Sequence, residues 1–209
     1  MIKENLGHRI DGWIHTLFPF LFWRALNPDL LTVLGTVIAG ASGLAFASGE
    51  LRLGGILLLF GGFFDLVDGV VARHFGISTR FGAFLDSSLD RVVDILAMVG
   101  LLAWFVDLGQ PEWAAICAWI LVATVLTSYA KARAELIIER IPGGLLERGE
   151  RVGLLIIGSL TGWLSPVLVI LALGSSVTVG QRFLYAYREM HRLDREERAA
   201  ACEEAKDTP

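Results

Sequence analysis

Residues that bind soft metals or form disulfides are scarce in this sequence of 209 residues. It has only two cysteines, Cys117 in an apolar stretch and Cys202 in a polar one. That pair argues against a disulfide framework and against a cysteine metal site. The four histidines are scattered along the chain and show no ligand spacing. A metal bound by this protein is therefore expected to have oxygen ligands.

Charge is also scarce. Charged residues make up 19% of the chain, whereas a typical soluble domain has about a quarter. The sequence is 54% hydrophobic, with a mean hydropathy of +0.59. Its net charge of -4 is mild and argues against nucleic acid as a partner. The N-terminus lacks the basic region and clean apolar run of a signal peptide, so no cleavable signal is predicted.

Long apolar stretches predict the elements that cross the membrane. A membrane helix needs about 20 mostly apolar residues, and six stretches qualify, of which the fifth is short. They are residues 29–48, 51–73, 81–106, 111–136, 150–164 and 166–188. Asn27-Pro28-Asp29 is typical of a helix N-terminus, with a cap, a proline and an acid in order. The sequence thus predicts an all-α integral membrane protein with six transmembrane helices.

The residues before the first of these helices have a different pattern. Ile2, Leu6, Ile10 and Trp13 recur at helical spacing among charged residues, which is typical of an amphipathic helix in the membrane interface. We therefore divide the chain into three parts. They are an interfacial helix at 1–24, a six-helix transmembrane domain at 25–188 and a polar cytoplasmic tail at 189–209.

Lysine and arginine predict the topology, since they collect in cytoplasmic loops. They occur in the N-terminal segment, in the connection between the second and third helices, in the connection between the fourth and fifth, and in the tail. The three opposite loops together contain only Arg52. The protein is therefore predicted to lie in the plasma membrane with both termini facing the cytoplasm.

Four aspartates lie at the cytoplasmic ends of the second and third predicted helices. Asp65 and Asp68 are three residues apart and share a helix face, and Asp86 and Asp90 are four apart on the next helix. A turn near Gly76 would make these helices antiparallel neighbours, so that both acidic faces meet across one cleft. An acid inside a membrane helix costs about 2.5–3.5 kcal/mol even on lenient scales, so the group needs a compensating cation.

Carboxylates without nearby cysteine or histidine favour hard divalent cations, and magnesium held in this way usually acts on phosphates. Gly69 and Gly82 leave room for a ligand to approach the backbone, and Arg73 offers a forked donor suited to phosphate. Two ions bridged by four carboxylates are therefore predicted at this cleft.

The alternative is a buried ion-pair network in which nearby arginines balance the acids. Pairing with Arg91 is the favoured interpretation for Asp94, which lies deeper on the third helix. For the whole set the aspartates outnumber the arginines, and burying unpaired charge is costly. The metal site is therefore the preferred interpretation.

The spacing of these residues resembles a known signature. Asp65-x2-Asp68-Gly69-x2-Ala72-Arg73-x8-Gly82-x3-Asp86-x3-Asp90 is similar to that of the CDP-alcohol phosphatidyltransferases at every fixed position. The resemblance extends over nearly the whole chain. It implies that an alcohol hydroxyl attacks the lipid-side phosphorus of a CDP-linked lipid, such as CDP-diacylglycerol, and that CMP leaves.

The resemblance also implies residue roles. Asp65, Asp68 and Asp86 are expected to bind divalent metal, Mg²⁺ or Mn²⁺, in two ions. Asp90 is expected to be the catalytic base and to touch the second ion. The residues expected to bind the CDP-lipid are Asp29, Leu30, Leu31, Thr32, Gly69, Arg73 and Thr79. For the Thr32 hydroxyl, a bond that stabilises its own helix is an equal alternative.

Three cations at cytoplasmic helix ends, Lys131, Arg151 and Arg182, predict an acceptor that itself carries phosphate. From composition alone, the bias of positive charge towards the cytoplasm would be the better explanation of these cations. The stretches "SYAKARAE" and "LLERGERV" resemble phosphatidylinositol phosphate synthases of actinobacteria and their archaeal ether-lipid counterparts, in which such residues bind the acceptor phosphate. Inositol phosphate is then the expected acceptor, although Gly149 stands where that subgroup commonly has proline. Glycerol 3-phosphate is the alternative acceptor.

A divalent-cation transporter is an alternative of another class, since it would also place acids in membrane helices. Transporters tend to bind near the midplane on broken helices of a repeat, and this chain has no repeat. The family resemblance implies a homodimer. The small residues Ala39 and Gly43, four apart in the first helix, permit close helix packing.

Overall fold

The computed structural model describes residues 27–139 and 141–207. Within them, the chain forms six α-helices and no β-strand, which confirms the all-α prediction. The helices are α1 Pro28–Ala47, α2 Leu51–His74, α3 Arg80–Asp107, α4 Pro111–Ala134, α5 Arg148–Thr161 and α6 Leu164–Asp207. The predicted interfacial helix at 1–24 lies outside the described residues.

Four of these helices are long and apolar enough to cross a membrane, namely α1, α2, α4 and the part of α6 at Leu164–Ala199. The protein is therefore a multi-pass membrane protein. The other two helices, α3 and α5, do not meet this criterion of length and apolar composition, each for a different reason. The predicted count of six spans is therefore not confirmed. The 28 residues of α3 include several charges near its start. The 14 residues of α5 reach about 21 Å, short of a hydrocarbon core about 30 Å thick.

Local sequence signals explain where the helices begin and end. The Asn27 side chain caps α1 by accepting a hydrogen bond from the Asp29 backbone N–H, as its sequence predicts. Thr79 caps α3 in the same way through the Gly82 N–H. Gly162 ends α5 in the left-handed region, with φ of 82°, a conformation that glycine adopts without strain.

The predicted polar tail is helical in the structure, because α6 continues to Asp207. Ion pairs one turn apart support this extension. Arg192 contacts Glu196 at 3.1 Å and also pairs with Glu189. Such pairs stabilise an exposed helix modestly.

The six helices form a closed ring. Along the ring the order is α1, α2, α5, α6, α4 and α3, and each helix packs mainly against its two neighbours. Phe46, Leu101 and Leu168 are fully buried in the main apolar core. Many large apolar side chains on the outer faces remain exposed, as expected where lipid replaces water. The arrangement places the C-terminal half of α2 and the N-terminal half of α3 beside the start of α5.

Small residues allow α1 to pack closely on both of its neighbours. A methyl group at Gly61 of α2 would clash with Ala39 and lie 2.8 Å from the Gly35 carbonyl oxygen. On α3, a methyl group at Gly100 would collide with the Gly43 carbonyl. The Ala39–Gly43 stripe thus lies at the helix contact that its spacing permits, and it brings α2 and α3 to either side of α1.

This packing predicts opposite effects for two adjacent glycines of α2. Gly61→Ala should destabilise the protein by about 1–3 kcal/mol, because overpacking forces the backbones of α1 and α2 apart. Gly62→Ala should leave stability unchanged or raise it by up to about 1 kcal/mol, since nothing lies within 4 Å of the added methyl group. Thermal unfolding in detergent measures both. Equal melting temperatures for the two variants would contradict the contact.

Candidate active site

Three aspartates from two helices form a compact carboxylate cluster. Asp65 and Asp68 lie on α2 and Asp86 lies on α3, and one oxygen of each lies within 4.8 Å of the others. The turn between the helices includes Gly76, with φ of 63°. That turn reverses the chain and makes the acidic faces meet, as the sequence predicts.

The cluster suits a divalent cation. Asp68 is only 6% exposed, and its Oδ2 is buried without a hydrogen bond from any described residue. A buried carboxylate oxygen without a donor is costly unless a cation compensates it. Three carboxylates within reach of one ion are the oxygen ligands that Mg²⁺ and Mn²⁺ prefer. The residues present therefore fit a hard metal ion.

Beside the cluster lies a cavity of about 180 Å³ between the starts of α1 and α3 and the end of α2. Asp68 and Asp86 line one side of it. Five of the seven residues predicted to bind the CDP-lipid also line it. They are Asp29, Thr32, Gly69, Arg73 and Thr79.

Both signature glycines have a steric role in this cavity. A side chain at Gly69 would come within 3.2 Å of the Arg73 Nη1, and one at Gly82 would come within 3.0 Å of both Asp29 and Thr79. The absence of side chains at these two positions lets polar groups from α1 and α3 approach one another around the cavity.

The remaining predicted lipid contacts are placed differently. Leu30 is exposed on the outside of α1, and Leu31 is buried against Val67, Val70 and Val71. Neither leucine is among the residues that line the cavity, and their predicted roles stay predictions. The Thr32 hydroxyl donates to the Pro28 carbonyl oxygen at 2.9 Å. Thr32 therefore has the helix-stabilising bond of the alternative interpretation while it also lines the cavity.

Asp90 is separate from the three-carboxylate cluster. Its Oδ1 lies 2.8 Å from Nη2 of Arg148, the first residue of α5. The same guanidinium lies 3.5 Å from Asp65. Arg148 was not predicted from the sequence as a member of this site. No spacing rule connects α5 to α3, and only the ring of helices brings them together.

The predicted pairing of Asp94 with Arg91 is wrong. The ion-pair partners of Asp94 are Arg148 and Arg151, each at 3.6 Å. Arg91 lies one turn from Asp94 on α3, but its Nη1 donates to the Ser128 hydroxyl of α4 at 2.9 Å. The side chain is thus turned towards α4 rather than along its own helix.

The three cations predicted to bind the acceptor line different spaces. Lys131 lines a cavity of about 730 Å³, and Arg182 lines an adjoining one of about 230 Å³ that shares the segment 141–144 and Tyr185. Arg151 is buried, donates to the Leu146 carbonyl oxygen at 3.1 Å and borders a much smaller cavity. Lys131 and Arg182 therefore line spaces that share a wall, whereas Arg151 is not among the residues that line them.

Arg91 is a further cation near the predicted acceptor-binding residues, and it was not predicted from the sequence. Arg182 donates to the Thr127 carbonyl oxygen at 2.7 Å, and Arg91 is held by the adjacent residue, Ser128. Both arginines thus have neutral oxygen acceptors on one turn of α4. Arg91 is also close enough to Arg151 and Arg182 for their like charges to interact. These three arginines lie close together, with Glu135 and Glu147 also near Arg182, and they offer hydrogen-bond donors to an anion.

A carboxylate cluster suited to a divalent cation, a polar cavity beside it and an arginine-rich region define a membrane enzyme that acts on phosphates. The sequence profile of the CDP-alcohol phosphatidyltransferases matches residues 25–180. The chain belongs to the CDP-alcohol phosphatidyltransferase family and is a transferase.

Two relatives with known names support this assignment. The chain is 35% identical over 173 residues to an archaetidylinositol phosphate synthase of Methanothermobacter thermautotrophicus, covering 79% of this chain and 86% of that protein. It is 38% identical over 191 residues to a phosphatidylinositol phosphate synthase of Streptomyces avermitilis, covering 84% and 78% respectively.

The fold is similar to that of the phosphatidylinositol phosphate synthase of Mycobacterium tuberculosis. Its crystal structure with CDP-DAG bound matches with a TM-score of 0.72 and 31% identity, over 88% of this chain and 94% of that one. Its structure with manganese and citrate matches with a TM-score of 0.72 and 32% identity, over 87% and 88%. The aspartate cluster and this manganese complex together support divalent-metal binding.

Proposed function

We propose that this enzyme transfers a phosphatidyl group, or its ether-lipid equivalent, from a CDP-linked lipid to a hydroxyl of inositol phosphate, with release of CMP. The observation that carries the proposal is the carboxylate cluster beside the cavity of about 180 Å³, which Asp68 and Asp86 line. The named relatives of the chain support the choice of acceptor.

On the donor side, Asp29, Thr32, Gly69, Arg73 and Thr79 hold the CDP part. Arg73 is suited to a phosphate oxygen because its guanidinium presents a fork of donors. Leu30 is exposed on the outside of α1, where it can contact the acyl chains. Leu31 packs behind it and supports the start of α1.

Asp65, Asp68 and Asp86 would hold a divalent cation, with Asp65 and Asp90 available to a second. Mg²⁺ and Mn²⁺ both suit these ligands. When bound, such ions neutralise charge on the pyrophosphate oxygens and on the leaving CMP.

Asp90 is the proposed general base. Its carboxylate accepts the proton of the acceptor hydroxyl as the hydroxyl oxygen forms its bond to the lipid-side phosphorus. The bond from that phosphorus to the oxygen of CMP breaks, and CMP leaves with that oxygen. The 2.8 Å contact from Arg148 keeps the Asp90 carboxylate oriented in the free enzyme.

On the acceptor side, Lys131, Arg151 and Arg182 bind the phosphate of the acceptor, and Arg91 adds a further positive charge beside them. Charge-assisted hydrogen bonds to phosphate are among the strongest available to a protein. We further propose that this face and both termini are cytoplasmic, in the plasma membrane, and that the enzyme is a homodimer.

CMP release tests the reaction. Purified protein in detergent, with Mg²⁺ or Mn²⁺ and CDP-diacylglycerol, should release CMP when inositol phosphate is added. Inositol, glycerol and glycerol 3-phosphate complete the panel. Faster release with glycerol 3-phosphate would assign the alternative acceptor. The absence of release with every alcohol would refute the proposed function.

Lys131→Ala is expected to raise the KM for inositol phosphate by about 10–100-fold and to change the KM for CDP-lipid less than about threefold. Hydrogen bonds to charged groups are worth about 1.5–3 kcal/mol. The variant should fold, because Lys131 is 45% exposed and its 3.8 Å pair with Glu135 is of the weak surface kind. Steady-state CMP release with each substrate varied in turn measures both constants.

Arg133→Ala is the matched control, since Arg133 is an exposed cation two residues further along α4. Its KM values should equal those of the wild type. If Lys131→Ala raised both KM values equally, Lys131 would owe its position to membrane topology and not to acceptor binding.

A further inference from the structure

Arg148 has an unusual position for a cation beside a metal site. Its guanidinium lies 2.8 Å from Asp90, 3.5 Å from Asp65 and 3.6 Å from Asp94. These three aspartates come from α2 and α3, whereas Arg148 begins α5. One positive charge thus connects carboxylates of two helices, which is the task that the proposed function gives to a second divalent cation.

Asp65 is the carboxylate that the two proposed ion positions share. It belongs to the cluster with Asp68 and Asp86 and also contacts Arg148. A cation that touched Asp65 and Asp90 together would therefore have to enter the region that the Arg148 guanidinium fills. Because Arg151 also pairs with Asp94, two positive charges face three carboxylates; they neutralise this region only in part, and the region retains affinity for a divalent ion.

The hydrogen-bonding capacity of the Arg148 guanidinium is only partly satisfied. Of its three contacts, only that to Asp90 is short, and its Nε is buried without a hydrogen-bond partner among the described residues. An unsatisfied buried donor raises the free energy of the bound position and lowers the cost of leaving it. The next residue is Gly149, and a side chain there would meet nothing within 4 Å. The Arg148 side chain itself is 24% exposed, so it is not fully enclosed in its position beside the aspartates.

We propose that the Arg148 guanidinium is an internal substitute for the second divalent cation: it holds Asp65 and Asp90 together in the metal-free enzyme and is displaced when that cation binds. The inference rests on the two-ion site of the proposed function. It makes Arg148 a positioning residue and predicts that the two ions bind with unequal affinity, the second one in competition with Arg148.

Titration of the full-length protein in detergent with Mn²⁺ alone tests the competition, with no substrate present. Calorimetry gives affinities and stoichiometry, and electron paramagnetic resonance reports whether two Mn²⁺ ions are close enough to couple. Arg148→Gln should bind the weaker ion at least about tenfold more tightly than the wild type, which is about 1.4 kcal/mol. The spectrum of coupled ions should appear at correspondingly lower Mn²⁺ concentration.

A second readout is the melting temperature of the protein without metal. Arg148→Gln should melt below the wild type in chelator, because Asp65 and Asp90 lose their cation, and Mn²⁺ should raise its melting temperature more than that of the wild type. Arg195→Gln is the control, since Arg195 is an exposed arginine on the distant end of α6. It should match the wild type in every measurement.

Unchanged or weaker Mn²⁺ binding by Arg148→Gln would overturn the inference. If that variant is not recovered folded, Arg148→Lys serves instead. A lysine lacks the fork that spans two carboxylates, so the weaker ion should bind at least about threefold more tightly, and unchanged binding would again overturn the inference. CMP release by the wild type tests the reaction separately. An active wild type with Mn²⁺ binding insensitive to Arg148 would refute this inference alone.

Discussion

Asp90→Asn is expected to lower kcat by at least about a hundredfold and to leave affinity for CDP-lipid within about threefold of the wild type. An amide cannot accept the proton of the acceptor hydroxyl, and general-base catalysis contributes about 10²–10⁴-fold. CDP-lipid affinity should persist because the cavity of about 180 Å³ is lined by other residues. Single-turnover CMP release and equilibrium binding of CDP-diacylglycerol measure the two effects.

The matched control is Asp107→Asn, at the opposite end of the same helix, where the side chain is exposed. It should keep the kcat of the wild type. A kcat for Asp90→Asn within tenfold of the wild type would remove Asp90 from the role of base. A parallel loss of CDP-lipid binding would instead indicate that Asp90 acts mainly as a metal ligand.

The helix positions were predictable because local signals define them. The second helix was expected at 51–73 and is Leu51–His74, and the third was expected at 81–106 and is Arg80–Asp107. Capping residues such as Thr79 mark such boundaries in the sequence itself. The fifth helix ends at Thr161, earlier than the expected residue 164, because Gly162 takes a left-handed conformation. A glycine inside an apolar stretch gives only a weak signal of that kind.

The number of helices and the number of membrane spans are separate questions, and hydropathy alone answers neither of them fully. All six predicted helices exist, yet α3 and α5 lack the length or composition of a clear span. The charges that make α3 ambiguous are those of the site. An apolar α3 would satisfy a span criterion but would have no carboxylates to offer. For the tail, the sequence analysis predicts only its polar character, whereas its charges pair one turn apart along the continuing α6.

For the site, the sequence predicts contacts within one helical hairpin and misses contacts across the ring. Asp65, Asp68 and Asp86 could be brought together from spacing alone, since α2 and α3 are joined by a short turn. Arg148 and Arg91 could not. Arg148 reaches the aspartates because α5 packs against α2, and Arg91 turns towards α4 because Ser128 offers it an acceptor. Neither contact has a counterpart in residue spacing.

Asp68→Asn is expected to weaken Mn²⁺ binding by at least about tenfold while leaving the metal-free protein as stable as the wild type or more stable. Asp68 is 6% exposed, and its Oδ2 has no hydrogen-bond donor among the described residues. Without metal, this carboxylate is a buried charge close to two others, so an amide relieves repulsion and desolvation. With metal, the same change removes a ligand. The two effects therefore have opposite signs in one variant.

Calorimetric titration with Mn²⁺ and thermal unfolding in chelator or in Mn²⁺ measure the two effects. A ligand that binds only the folded state raises stability by RT ln(1 + [L]/Kd), so the Mn²⁺-induced rise in melting temperature should shrink in Asp68→Asn and persist in Asp107→Asn. A purely structural role for Asp68 predicts the reverse pattern, namely a lower melting temperature in chelator and an unchanged rise with Mn²⁺. That outcome would mean that the buried carboxylate stabilises the fold itself and that the metal binds elsewhere.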